Sequence, residues 1–232
     1  NIVAAKAGIP SKTCTVTVWD NWINHAASTY AGGSGTETNP YLIATAPQLA
    51  KLAYETRINK QNYYNTYFKL TADIDLEAYR WTPIGTNVFQ AVFLSNELAF
   101  QGIFDGNGHY IKNMTAKAPG HRSWEYWGLF GVVYGNKEDN AKKAEIKNLA
   151  VTNADVVGGS NETGILCGAA ANVDICNCFT EGDSSAAGFV GWAVGAKTTI
   201  RNCYSIVNAG ISGFVNSISG SSISNCYSGG FA

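Results

Sequence analysis

The chain writes one six-residue phrase three times: "ICNCFT" (175–180), "IRNCYS" (200–205) and "ISNCYS" (223–228). Its kernel, Ile-x-Asn followed by an apolar residue, occurs twice more, as "IKNM" (111–114) and "IKNL" (146–149). The five copies follow one another at spacings of 35, 29, 25 and 23 residues. A second motif precedes each: "GIFDG" (102–106), "GLFG" (128–131), "GILCG" (164–168), "GFVG" (188–191) and "GFVN" (213–216). Two motifs in fixed order, five times over, mark an array in which each unit buries its apolar face against the next.

Both motifs are strand-like, and no apolar stripe of period 3.6 runs between 145 and 232. Two tiny strands cannot bury a face alone; stacked copies can. The predicted fold is all-β, a parallel β-helix solenoid of about 23–25 residues per turn, with right-handed coiling as the default for parallel crossovers. Equivalent residues then fall in columns: Ile111, Ile146, Ile175, Ile200 and Ile223; Met114, Leu149, Cys178, Cys203 and Cys226; and Phe179, Tyr204 and Tyr227. Asn113, Asn148, Asn177, Asn202 and Asn225 form the most informative column. Asn is a poor strand residue, but its amide donates and accepts at once, so a structural ladder of side-chain amides is expected there. Glycine, which tolerates positive φ and close backbone approach, marks the corners.

The phrases "WTPIG" (81–85), "FQGIFDGNGHYIKNM" (100–114), "WGLFG" (127–131) and the Ile-x-Asn-Cys-Tyr-Ser units resemble the GLUG-motif repeats of bacterial cell-surface proteins. The resemblance runs from about residue 36 to the end. It departs from a compact unit in the insertions 86–100, 115–127 and 135–145, and in a last unit that stops at Ala232. It implies an extracellular, cell-surface location.

Upstream, "NPYLIAT" (39–45) reads as a strand and "TAPQLAKLAYET" (45–56) as a helix. Thr45 and Gln48 have capping-box spacing, Pro47 sits in the first turn, and Leu49, Leu52 and Ala53 share one face. That helix is expected to plug the N-terminal end of the solenoid. Residues 39–80 are the lead-in to a repeat domain spanning 39–232, and "YFKLTADIDL" (67–76) alternates as a strand. Residues 1–18 read as a hairpin and resemble the final strands of a group 2 bacterial Ig-like domain. Residues 19–38 are the linker, although Trp19 and Trp22 are too apolar for a free tether.

Composition bears on function mainly by exclusion. Charged residues make up 14% of the chain, against roughly 25% in an average soluble domain. A net charge of −1 offers no footprint for nucleic acid. No apolar run reaches the ~18 residues of a membrane span. The six cysteines permit disulfides, but three recur at one place in the repeat, which favours small buried thiols. Three scattered histidines make no zinc-peptidase motif, and the lone acid of "FDGNGH" (104–109) is too little charge for a tight calcium site. No metal or cofactor is expected.

Asp73 and Asp75 are the only close carboxylate pair on a strand, and at i and i+2 they point the same way; facing solvent or accepting bonds from turn amides is favoured for them over a catalytic pair. The stretch "KAPGHRSWEYWG" (117–128) is the expected contact surface: His121, Arg122, Trp124 and Tyr126 suit a sugar face or a protein surface, while Trp127 is expected in the core. The function expected from these readings and the GLUG resemblance is a non-catalytic surface or adhesion module presenting loops to a host or matrix glycan or a surface protein. The alternative is a carbohydrate-active β-helix enzyme, a polysaccharide lyase or hydrolase, or its accessory domain.

Overall fold

The structure, a computed structural model, describes residues 2–6, 9–14, 20–86, 97–118, 126–135, 144–159 and 161–230. It is predominantly β, built on parallel sheets, with one α-helix among the described residues. β1 (Ile2–Lys6) and β2 (Ile9–Cys14) form an antiparallel hairpin that pairs Ile2 with Cys14. A 3₁₀ turn at Trp22–His25 follows, capped by Asn21, whose side chain accepts from the Ile23 N–H. Residues 20–38 are no free tether: Trp22 is buried, and its indole donates to the Leu76 carbonyl over 3.0 Å.

β3 (Tyr41–Ile43) leads into α1 (Ala46–Arg57). Pro47 lies in the first turn, and Leu49, Leu52 and Ala53 are buried in the core. The capping box does not form. Thr45 makes no side-chain cap, and Gln48 reaches one residue further back to accept the Ala44 N–H at 2.8 Å. The buried Thr56 hydroxyl returns its proton to the Leu52 carbonyl and accepts the Gly85 N–H, tying the helix to the chain beneath it.

The remaining strands are β4 (Tyr67–Leu70), β5 (Ile74–Asp75), β6 (Ile103–Asp105), β7 (Tyr110–Lys112), β8 (Thr115–Lys117), β9 (Phe130–Tyr134), β10 (Ala144–Val157), β11 (Cys167–Ala171), β12 (Val173–Ser184), β13 (Val190–Val194), β14 (Thr199–Arg201), β15 (Tyr204–Ala209), β16 (Val215–Ser219), β17 (Ser222–Ser224) and β18 (Tyr227–Gly229). The larger sheet runs β3-β4-β6-β10-β12-β14-β17, with β7 and β8 along the second half of β10, β15 on β12 and β18 on β15. The smaller sheet runs β9-β11-β13-β16. Every pairing in both sheets is parallel, so each strand lies beside its equivalent in the next repeat.

The bends between the parts of the larger sheet are made by asparagine. Asn113, Asn148, Asn153, Asn177, Asn202 and Asn225 all have φ between 50° and 59°, the left-handed region that Asn enters more readily than other non-glycine residues. The glycines before them serve a different end. Gly128, Gly131, Gly164, Gly168, Gly188 and Gly191 do not have positive φ; a Cβ on Gly131 would sit 2.4 Å from the Gly85 carbonyl oxygen, and one on Gly188 would sit 2.2 Å from that of Gly213. They are small because the neighbouring repeat's backbone passes where a methyl would be.

The register revises the first repeat. Ile146, Ile175, Ile200 and Ile223 do align, but the residue beneath Ile146 is Phe104, not Ile111. Ile111 lies between Ile74 and Val151. "IKNM" therefore matches "VTNA" (151–154), and "FDG" (104–106), at the end of β6, occupies the place of Ile-x-Asn. Met114 leaves its predicted column for the same reason, its carbonyl accepting the Asp155 N–H.

Candidate functional site

The amides of the bends bond from strand to strand. Asn177 donates to the Asn148 oxygen (3.1 Å), Asn202 to Asn177 (3.3 Å) and Asn225 to Asn202 (3.4 Å), while Asn148 donates to Asp105 (3.0 Å). Asn113 belongs to a second ladder, in which Asn153 donates to Asn113 and Asn113 to Asp75. Each ladder starts on an aspartate that only accepts, which sets one direction for all the amides above it.

Asp75 is thus the foot of a ladder, and the Glu77 N–H and the Asn113 amide hold its carboxyl below the usual carboxylate range. Asp73 takes the Tyr110 N–H, pairs with Lys112 at 3.0 Å and meets His109 at 3.2 Å; these contacts, the Tyr110 N–H foremost, lower its carboxyl as well.

Just past these bends, side chains alternate between core and solvent, and the outward ones form a row. Tyr110, Ala150, Phe179, Tyr204 and Tyr227 occupy successive strands in register. Tyr110, Tyr204 and Tyr227 are 44%, 47% and 65% exposed. The rings of Phe179 and Tyr204 stack at 4.3 Å with 28° between planes. Ile206, one outward step from Tyr204, is half exposed. Nothing about "CFT" or "CYS" taken alone says which way the ring points; the buried cysteine before it and the buried Thr180 or Ser205 after it settle that.

The expected contact residues divide into described and undescribed ones. His121, Arg122 and Trp124 fall outside the described residues. Tyr126 is 8% exposed and sits with Ala99, Val132, Tyr134, Ala169 and Ala171 on the outer side of the smaller sheet. It is a packing residue, because the outward positions of β9 and β11 are apolar and need a cover. Trp127 lies in the main core, as its neighbours Leu129 and Phe130 suggest. Further along the same outer side, Trp192 and Val194 are half-buried, and Trp192 joins Asn161, Glu162, Asn216 and Ser217 around a recess of about 190 Å³. This tryptophan lies just past the "GFVG" motif and was not singled out in the sequence.

A shallow groove of about 500 Å³ runs beside the end of β10, β12 and β15. Asp155 and Asp183 line it from adjacent strands, next to Asn208. Both carboxylates are engaged: Lys117 pairs with Asp155 at 2.6 Å and Asn208 donates to Asp183 at 3.0 Å. Cys167, Cys176, Cys178, Cys203 and Cys226 are free thiols, the first four buried. Burial pushes the Cys167 thiol up to about 12. Cys178, Cys203 and Cys226 each approach a main-chain carbonyl of the preceding repeat, at 3.8, 3.9 and 3.6 Å. Among the described residues, no three His, Cys, Asp or Glu side chains are grouped to hold a metal, and no helix is long and apolar enough to cross a membrane.

No family model matches the chain. A protein of Evansella cellulosilytica, provisionally named a Gly-rich membrane protein, is 34% identical over 134 residues, which are 54% of this chain and 12% of that protein. Halomucin of Haloquadratum walsbyi is 30% identical over 167 residues, 72% of this chain and 2% of halomucin. The chain thus spans a small part of the length of either relative. Among solved structures, a Bacteroides ovatus protein provisionally named an immunoglobulin A1 protease aligns with a TM-score of 0.64 and 25% identity, over 86% of this chain and 60% of that one.

Proposed function

We propose that the chain is a parallel β-helix of the GLUG-repeat kind, working as a non-catalytic cell-surface adhesion module that holds a glycan or a surface protein against its outward aromatic row. One observation carries this reading. Tyr110, Phe179, Tyr204 and Tyr227 stand in register on the outside of a rigid stack, with the tyrosines 44–65% exposed. Exposed aromatics with a polar handle are the side chains that most often anchor a partner. Low charge makes the row suit a neutral ligand. The names of two relatives, a Gly-rich membrane protein and halomucin, support a location at the cell surface. The earlier candidates His121, Arg122 and Trp124 stay in this reading as a second contact.

A glycan array tests it. The chain should bind a subset of glycans, and Tyr204→Ala together with Tyr227→Ala should weaken binding by roughly tenfold or more if each ring supplies about 1 kcal/mol. Trp124→Ala separates the loop's share from the row's. Retention of full binding in the double tyrosine variant would contradict the reading.

The carbohydrate-active enzyme is the second reading, favoured by one feature: Asp155 and Asp183 share a groove from adjacent strands. Strands ~4.8 Å apart bring two carboxyl groups near the separation retaining glycosidases use. Against it, Lys117 and Asn208 already occupy both acids. Release of reducing ends from a polysaccharide, abolished by Asp183→Asn, would establish the enzyme and displace the adhesive role.

A further inference from the structure

The outward row has a gap. Four of its five positions are aromatic and the fifth is Ala150, which lies opposite Tyr110 on one side and Phe179 on the other. Ala150 is itself partly exposed. Parallel neighbours stand ~4.8 Å apart, so the backbones carrying Tyr110 and Phe179 are separated by about 9.6 Å. A methyl group fills little of that height. The upper face of Phe179 is already covered by Tyr204, at 4.3 Å between ring centroids, which leaves its other face turned toward Ala150. On the far side of Tyr110, Lys112 is drawn to Asp73, which precedes the pair Ile74–Ile111 and accepts the Tyr110 N–H. The side of Tyr110 toward Ala150 is the one away from that ion pair.

We infer that this gap is a ring-binding slot, floored by Ala150 and walled by Tyr110 and Phe179, and that it takes one neutral pyranose ring of a glycan. The assignment rests on the adhesive reading above and deepens it. The dimension fits: a flat ring between two aromatics at about 4.8 Å from each completes the spacing that Phe179 and Tyr204 already keep. The rim fits a sugar better than a hydrocarbon ring. Thr152 stands one outward step from Ala150, and the exposed Glu181 does the same beside Phe179. A hydroxyl and a carboxylate can donate to and accept from equatorial hydroxyls, while the sugar's apolar face lies on the rings.

Saturation-transfer NMR and calorimetry with cellobiose, diacetylchitobiose and lactose test the slot. At least one should bind the wild-type chain. Ala150→Phe fills the slot with a ring the row is built to accept, so it should keep the melting temperature and lose roughly tenfold or more in affinity. Ala150→Ser should bind as the wild type does. Should Ala150→Phe not fold, Tyr110→Ser, at an exposed position, removes one wall and should weaken binding similarly. Unchanged affinity in folded Ala150→Phe, or in Tyr110→Ser, overturns the slot. If binding then still falls in the Tyr204→Ala, Tyr227→Ala pair, the adhesive row survives without it. Indole binding at the slot with no response to any sugar overturns the pyranose assignment. Silence toward these sugars and across the glycan array removes both.

Discussion

Asparagine at the bends combines two properties that other residues supply singly. Its backbone enters the left-handed region, and its amide continues a ladder that starts on an aspartate. Substitution at Asn177 separates them. Asn177→Gly keeps the conformation and loses the amide, which should cost about 1 kcal/mol. Asn177→Ala loses both and should cost about 1 kcal/mol more. Urea denaturation of the two variants measures the difference, and equal stabilities would mean that the bend carries no conformational demand.

Acid tests the lowered carboxyls, one of which, Asp75, is the foot of a ladder. The carboxyls of Asp73 and Asp75 are lowered in the fold, and Asp20, held by Asn24, His25 and the Asn21 N–H, is lowered to about 2. A lowered folded-state value stabilises above the unfolded carboxylate range and is lost as pH falls through it. The melting temperature should therefore fall between about pH 4 and pH 2. Asp75→Asn, which keeps an acceptor for Asn113, should flatten part of that fall; an unchanged acid profile would remove Asp75 from the account.

At the scale of elements, the glycines of the Gly-apolar-apolar-Gly motif set how closely repeats approach. A Cβ on Gly168 would lie 2.7 Å from the Trp127 nitrogen and 2.8 Å from the Gly131 oxygen, both backbone atoms. Gly168→Ala should cost about 2–3 kcal/mol by forcing strands apart. Gly108, with φ +80° and nothing within 4 Å, is the contrast: its alanine variant bears only backbone strain, about 1 kcal/mol. The core column gives a sharper case. Ile175→Asp puts a charge among Ile146, Ile200 and their neighbours and should unfold adjoining strands at a cost of several kcal/mol. Lys112→Ala loses only exposed contacts, the ion pair with Asp73 and an approach to the Tyr110 ring, and should be nearly silent in a thermal melt.

At the scale of the whole molecule, the repeat was legible because in-register stacking makes structural equivalence visible as sequence identity. From Ile146 onward the columns read from the phrase are the columns in space. The first repeat was misread because "IKNM" and "IKNL" are nearly identical, yet a strand's place depends on its hydrogen-bonded neighbour. Phe104, read inside the strand-like "GIFDG", could not be assigned to the isoleucine column until its pairing with Ile146 was seen. The aromatic row was half legible: Phe179, Tyr204 and Tyr227 share a phrase, but Tyr110 joins them only through the pairing with Ala150. Tyr126 was misjudged because exposure depends on what covers a sheet, and the cover comes from distant segments such as Ala99.

The account stands on a single stack of in-register strands. Lys69, Asp105, Lys147, Cys176, Arg201 and Ser224 occupy successive strands of one column. Pulsed electron-spin resonance between labels at Lys69 and Ser224, attached by thiol-independent chemistry, measures its height. Five steps of ~4.8 Å predict a narrow distribution near 24 Å. A broad distribution, or one far from that length, would contradict the stack and with it the in-register aromatic row.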